Sequence, residues 1–365
     1  MVLIYIRTGA VRAVIIFYLI TMVALPAYAL DGYVQLEQQW DDGDEQTSTQ
    51  LLDLQQQWSM GTMTLALENH DDETQLSIKE LAYLDILAGW DASAGKLYLP
   101  WDWSYSRQPL DLFGNDDDPL PSGDWLVAAD YRHGLNTLTL ACSEGAAQKD
   151  PWTRTAGLCA VRMYQVFAAL EWQWLAYAMN DPTDATTIPG AGVGWTWVGT
   201  DALELHGSLR WQSRYWSATT ELQEQSQRDG WLALFGGHYN GRHNWQWLLE
   251  AHYDSSGWSQ RQWQAYDLWL QQLDSSAIAT VEQRMDNPWL YRYQIFTRLD
   301  WDPGWFHPEA YLFWQPQIAS SHSVVKINME TDHELALSLS YGLFQGPYWP
   351  YDERIAVALE FSLSE

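Results

Sequence analysis

Arg354-Ile355-Ala356-Val357-Ala358-Leu359-Glu360-Phe361-Ser362-Leu363 alternates strictly. Ile355, Val357, Leu359, Phe361 and Leu363 fall on one face, and Arg354, Ala356, Ala358, Glu360 and Ser362 on the other. A period of two predicts a β-strand with one apolar and one small or polar side. In a barrel set in a membrane, the apolar side of such a strand meets lipid and the other lines a lumen. The partner expected for this strand is the stretch at residues 34–40, which would seal the barrel.

The pattern repeats along the chain. Val34, Leu36 and Trp40 oppose Gln35, Glu37 and Gln39, and Leu52, Leu54 and Trp58 oppose Asp53, Gln55 and Gln57. Met63, Leu65 and Leu67 oppose Thr64 and Glu68, and Trp172 and Trp174 oppose Glu171 and Gln173. Leu203, Leu205, Leu209 and Trp211 oppose Glu204, His206, Ser208, Arg210 and Gln212. Trp245, Trp247 and Leu249 oppose Gln246, Glu250 and His252, while Tyr291, Tyr293, Ile295 and Leu299 oppose Arg292, Gln294, Arg298 and Asp300. Val325, Ile327 and Met329 oppose Lys326, Asn328 and Glu330. The repetition carries the inference, since no single segment decides it.

The connections alternate in kind as well. Tight turns are expected at 59–61, 134–136, 199–201, 240–241 and 302–304. Longer polar stretches lie between them at 41–46, 100–123, 143–157, 180–189, 213–229, 254–288 and 345–353. Short turns on one rim and long loops on the other predict an all-β fold, a transmembrane antiparallel barrel of about 16–18 strands. Residues 100–123 hold Trp101, Trp103, Tyr105 and Arg107, then Pro109-Leu110-Asp111-Leu112-Phe113. Such a loop either folds inward and narrows the barrel or stays outside against its neighbours. In the 254–288 stretch, Ser259 and Gln262 have capping-box spacing. Trp263, Tyr266, Trp269, Leu270 and Leu273 then follow at helical steps, predicting a short helix that caps or plugs the mouth.

Residues 1–29 read as a signal peptide. Arg7 and Arg12 precede an uncharged apolar run from 13 to 25, and Ala27-Tyr28-Ala29 has the small-x-small form of a cleavage site. A retained membrane helix is the alternative. Residues 30–365 would then form the barrel. Of 19 basic and 47 acidic residues, cleavage removes two arginines and no acid, leaving 17 against 47, a net charge of −30. That balance argues against nucleic acid as a partner. Twenty-four Trp and 20 Tyr suit sheets, sugar-binding clefts and membrane interfaces alike. Cys142 and Cys159, the only cysteines, flank a polar stretch and are expected to bond across it.

No catalytic motif stands out: there is no Gly-x-Ser-x-Gly, phosphate loop, His-Glu-x-x-His or Cys-x-x-Cys. No cofactor and no metal site is expected. His206, His238 and His252 read as lumen-side histidines. The acidic runs at 41–45, 70–73 and 116–118 lack calcium-loop spacing and read as solvated loops, with divalent-ion contacts to lipopolysaccharide as the alternative.

Residues 77–113 contain Ser77-Ile78-Lys79-Glu80-Leu81-Ala82-Tyr83-Leu84-Asp85, then Gly95-Lys96, Trp101 and Pro109-Leu110-Asp111-Leu112-Phe113. This resembles a hairpin and loop of porin-like outer-membrane barrels of proteobacteria. Gly257-Trp258-Ser259 with its helix, and 337–346, are similar to later parts of such barrels. The resemblance implies an outer-membrane location, contact with lipid and lipopolysaccharide, and insertion by the barrel assembly machinery. It also admits a homo-oligomer.

Candidate lumen or constriction residues are Lys79, Glu80, Arg107, Asp111, Arg162, Glu204, Arg210, Arg292, Arg298, Lys326 and Arg354. A mixed-sign lining of this kind gives a hydrated interior whose selectivity follows the charges nearest the constriction. The leading expectation is passive diffusion of small hydrophilic solutes. A barrel that anchors or exports a partner, and a soluble secreted carbohydrate-binding β protein, are the alternatives.

Overall fold

The computed structural model describes residues 30–41, 46–58, 61–70, 73–87, 90–97, 99, 101–106, 108–113, 124–143, 157–181, 184, 186–219, 224–270, 291–304, 306–330, 335–346 and 353–363. Side chains are described for most of these between 90 and 346. The signal-peptide stretch 1–29, Arg107 and the acidic run 116–118 lie outside the described residues.

Among the described residues, eighteen strands form one sheet. They are β1 (Leu30–Asp41), β2 (Gln46–Trp58), β3 (Gly61–His70), β4 (Glu73–Leu87), β5 (Trp90–Leu97) and β6 (Asp124–His133). Then come β7 (Asn136–Ser143), β8 (Gly157–Phe167), β9 (Leu170–Asn180), β10 (Thr187–Thr200), β11 (Leu203–Ala218) and β12 (Glu224–Asn240). The last six are β13 (Trp245–Asp254), β14 (Tyr293–Trp301), β15 (Phe306–Gln315), β16 (Ser320–Glu330), β17 (Leu335–Gln345) and β18 (Glu353–Leu363). Each strand pairs antiparallel with the next in the chain, from β1–β2 through β9–β10 to β17–β18. β18 returns to β1 with Leu36 opposite Leu359 and Asp41 opposite Arg354, so the ring closes where the terminal stretch predicted. Closure leaves no unpaired edge.

The alternation sorts the side chains as expected. On β13, Trp245, Trp247, Leu249 and Ala251 are exposed while Leu248, Glu250, His252 and Asp254 are buried. On β9, Trp174 is exposed and Gln173, Leu175, Tyr177 and Met179 are buried. The outward face is apolar and carries aromatic pairs at both ends of β13. Trp245 stacks on its register partner Trp301 at 5.3 Å, and Tyr253 meets its partner Tyr293 at 5.3 Å. Residues 245 to 253 span roughly 27 Å along a strand, or about 21 Å of barrel height at a usual tilt.

Two loops are shorter than the sequence suggested. Polar residues at 213–218 and 224–229 continue the ladder, with Arg214 opposite Arg228 and Ala218 opposite Glu224. β10 likewise starts at Thr187, opposite Asn180, inside the stretch read as 180–189. Strand pairing above an apolar belt does not require apolar side chains, so composition alone marked these extensions as loop. Tyr291 also departs from its predicted outward place. It precedes β14, is buried, and stacks on Trp263 at 5.6 Å.

That contact belongs to the β13–β14 connection, which carries helix α1 (Gln260–Leu270). The capping box is present. The Ser259 N–H donates to Gln262 Oε1 at 2.9 Å, and the Gln262 N–H to Ser259 Oγ at 3.4 Å. Trp263 and Tyr266 are buried against Trp258. Gln317, in the β15–β16 turn, ties the connection down by donating from Nε2 to the Trp258 carbonyl at 3.0 Å. The buried face of α1 is therefore used within its own connection on the long-loop rim.

Candidate functional site

The β5–β6 connection turns inward. From Trp101 to Phe113 it runs along the inner faces of β8–β13, and Trp101, Leu110, Leu112 and Phe113 are all buried. They join one apolar cluster with Leu126, Ala128, Ala141, Leu158, Ala160, Leu175, Tyr177, Met179 and Ile188, inward residues of β6–β10. The barrel interior on this side is thus a packed core, where the mixed-sign lining suggested a hydrated one.

Inward glycines alternate along β10 at 190, 192 and 194, and the last two make room for the segment. A methyl group on Gly192 would lie 2.5 Å from Leu110 Cδ2, and one on Gly194 would lie 2.8 Å from Leu110 Cδ1. At Gly190 the space is filled by the Tyr177 ring.

Polar ties fix the segment from within and from the wall. Asp102 is its internal hub and accepts from the N–H groups of Trp103 (2.8 Å), Ser104 (3.1 Å) and Leu110 (2.8 Å) and from the Ser104 hydroxyl (2.5 Å). Burial pushes the Asp102 carboxyl up, opposed by those bonds from Ser104 and Leu110. Asp111 accepts from the N–H groups of Trp101 and of Asp102, the latter at 2.7 Å. From the wall, Gln173 Nε2 donates to the Trp101 carbonyl, and Arg210 Nη1 reaches the Pro109 carbonyl at 3.4 Å. Glu250 takes two consecutive amides, Tyr105 N–H on Oε1 at 2.9 Å and Ser106 N–H on Oε2 at 2.7 Å. Burial, and then the charges of Glu204 and Glu250, push the Tyr105 phenol up.

Register places several of these groups on one hoop. Glu171, Thr196, His206, Gly236, Glu250, Phe296, Phe313, His322 and Phe344 are successive in-register partners across β9–β17. The half nearest the segment is polar. The other half is aromatic, with Phe296 and Phe313 centroids 4.5 Å apart and His322 and Phe344 4.0 Å apart.

The candidates from sequence divide accordingly. Asp111, Arg162, Glu204 and Arg210 gather around the segment. Arg162 Nε donates to Gln173 Oε1 at 2.8 Å, and its guanidinium lies 5.8 Å over the Trp101 ring. Arg210 is buried, donating to the Tyr177 hydroxyl at 2.7 Å and to Gln212 Oε1 at 3.0 Å. Arg298 points inward from β14 and pairs with Asp300 (3.0 Å) and Glu309 (3.1 Å). Lys326 is in register with Glu309 on the far wall. Arg292 is drawn away from the lumen wall, its Nε donating to the Gly257 carbonyl at 2.9 Å in the helix-bearing connection. Lys79, Glu80 and Arg354 lie on β4 and β18, and their side chains, like Arg107, are outside the described set. Cys142 and Cys159 are outward-facing register partners on β7 and β8, joined in a disulfide that closes the 144–156 connection.

The sequence reading missed Glu250 as a tether, Asp102 as a hub and the inward glycines. Gly190-Ala191-Gly192-Val193-Gly194 carried a legible signal for the glycines, because small residues at period two mark close approach of another segment.

No protein-family profile matches the sequence, and neither does any curated protein sequence. Solved structures do match in shape. OccK5 (OpdH) of Pseudomonas aeruginosa superposes with a TM-score of 0.59 at 10% identity, over 92% of this chain and 98% of that one. OccK3 (OpdO) of the same organism gives 0.59 at 11% identity, over 92% and 95%. OpdQ gives 0.58 at 8% identity, over 93% and 99%. The chain has the fold of Gram-negative, porin-like outer-membrane β-barrels, and no subfamily is singled out among them.

Proposed function

We propose that this barrel sits in the outer membrane and is a porin-like channel, passing small hydrophilic solutes by passive diffusion through a lumen narrowed by the 101–113 segment. The observation that carries the reading is the pair of amides at Tyr105 and Ser106 held on Glu250, an inward residue of β13, far across the ring from β5. A loop left outside the barrel could not reach that carboxylate. The outward apolar belt with aromatic pairs at both ends supports a lipid environment. The inward mixture of Arg162, Glu204, Arg298, Asp300, Glu309 and Lys326 supports a hydrated path beside the packed segment.

Planar-bilayer conductance tests the reading. The purified barrel should carry a stable ion current, and deleting residues 104–110 should raise single-channel conductance by about twofold or more, since the narrowest section dominates the resistance. Absence of current in both proteins would sink the proposal.

A further inference from the structure

His206 on β11 and Glu250 on β13 touch across an intervening strand. They meet because the residue between them on β12, in register with both, is Gly236. A methyl group there would lie 2.5 Å from His206 Nε2 and 2.6 Å from Glu250 Cγ. With the space empty, His206 Nε2 lies 2.8 Å from Glu250 Oε1, the same oxygen that accepts the Tyr105 amide. On the other side of the ring, His206 Nδ1 lies 3.8 Å from Glu204 Oε1. His206 is buried, 1% exposed, so its neighbours and not bulk water set its environment.

We propose that His206, held between Glu204 and Glu250, is a proton-responsive clasp that fixes the 105–106 backbone on the wall and sets the charge selectivity of the passage. The inference rests on the channel reading for its selectivity half only. With the imidazole neutral and Nε2–H donating to Glu250, the Nδ1 lone pair faces the Glu204 carboxylate, an unfavourable arrangement. A second proton turns Nδ1 into a donor toward Glu204 and leaves Nε2–H on Glu250. The local charge then falls from two negatives to one, and Glu250 is drawn harder to its place beneath the two amides. Histidine is the side chain whose charge changes between pH 5 and 8.

The other ionisable groups around it come from each neighbouring element. Tyr105 lies over the ring at 6.0 Å from the inward segment. His238 of β12 lies 5.7 Å from Tyr105. His252 follows on β13, and Arg298 of β14 acts on Tyr105 in the sense opposite to the two glutamates. His206 has one ring nitrogen 2.8 Å from Glu250 and the other 3.8 Å from Glu204.

Two readouts on the refolded full-length barrel separate this inference from the channel reading. In a KCl gradient, cation preference should fall by about twofold between pH 8 and pH 5 as the local charge halves. In micelles, exchange of the Tyr105 and Ser106 amides, corrected for intrinsic pH dependence, should slow over the same range. His206→Gln should flatten both profiles. Glu204→Gln should weaken both profiles, because the carboxylate facing Nδ1 is gone. Unchanged pH profiles in His206→Gln would overturn the clasp. Should that variant fail to fold, undiminished profiles in Glu204→Gln would overturn it equally. Protection that follows pH in a barrel with no current would refute the channel and leave the clasp standing.

Discussion

At the scale of single residues, absence of side chain does as much as its presence. Gly192 and Gly194 leave the groove that Leu110 fills, and Gly236 leaves the gap through which His206 reaches Glu250. Gly192→Leu should occupy the groove and expel Leu110, which is fully buried. Losing that burial costs about 2 kcal/mol, enough to loosen the segment without breaking the ladder. The variant should show higher and noisier single-channel conductance with unchanged heat-modifiable migration. A second residue-level expectation concerns the β9–β10 turn. Hydrogen bonds from the Thr186 hydroxyl (2.5 Å) and N–H (3.0 Å), and then Arg214 at 3.0 Å, hold the Asp184 carboxyl below the usual aspartate range. A lowered value means the turn gains support above the ordinary aspartate pKa and loses it as pH falls through the lowered one. Exchange at the Asp181 amide, bonded to the Thr186 carbonyl at 2.9 Å, should therefore stay protected down to about pH 4 and accelerate below it. Asp184→Asn should remove that acid limb.

At the scale of elements, strands were legible in the sequence and the inward segment was half legible. Alternation in β11, β13 and β16 identified which residues face in, because one face of each meets an apolar surround and the other does not. The same logic fails for the 101–113 segment, whose direction depends on long-range contacts with Gln173, Arg210 and Glu250. Its aromatic and acidic composition fits an exterior loop equally well. For α1, capping spacing and three-four periodicity located the helix, but where its aromatic face packs was set by Trp258, Tyr291 and Gln317. Trp263→Ala tests how local that packing is. Emptying a buried tryptophan site costs about 3–5 kcal/mol, and here the loss should fall on the β13–β14 connection alone. Limited proteolysis should cut within 255–292 in the variant while the barrel core keeps its heat-modifiable migration. Loss of the folded band itself would mean that the connection is part of the barrel's cooperative unit.

At the scale of the whole molecule, stability and function pull on different parts of one ring. Among the described residues, eighteen strands pair edge to edge around the ring, so the ladder is continuous and each strand depends on two neighbours. Mixed charge on the inner wall cannot stabilise that ring as an apolar core would. The packed cluster around Leu110 and Phe113 fills one side, and the wall from β14 to β16, with Arg298 paired to Asp300 and Glu309, stays polar below its aromatic hoop. Closure is where the demand is sharpest, because β18 and β1 lie at opposite ends of the chain and yet must pair. Val357 sits in the middle of that seam, opposite Gln38 on β1 and Leu339 on β17. Val357→Pro removes its N–H from the ladder and fixes its φ, at a cost of about 3 kcal/mol or more. An open sheet tolerates this at an edge, but a closed one has no edge to spare. The variant should therefore lose heat-modifiable migration and accumulate unfolded, whereas Val357→Thr, which keeps the β-branched shape and the N–H, should fold. Equal folding of the two variants would show that β18 is not the strand on which closure depends.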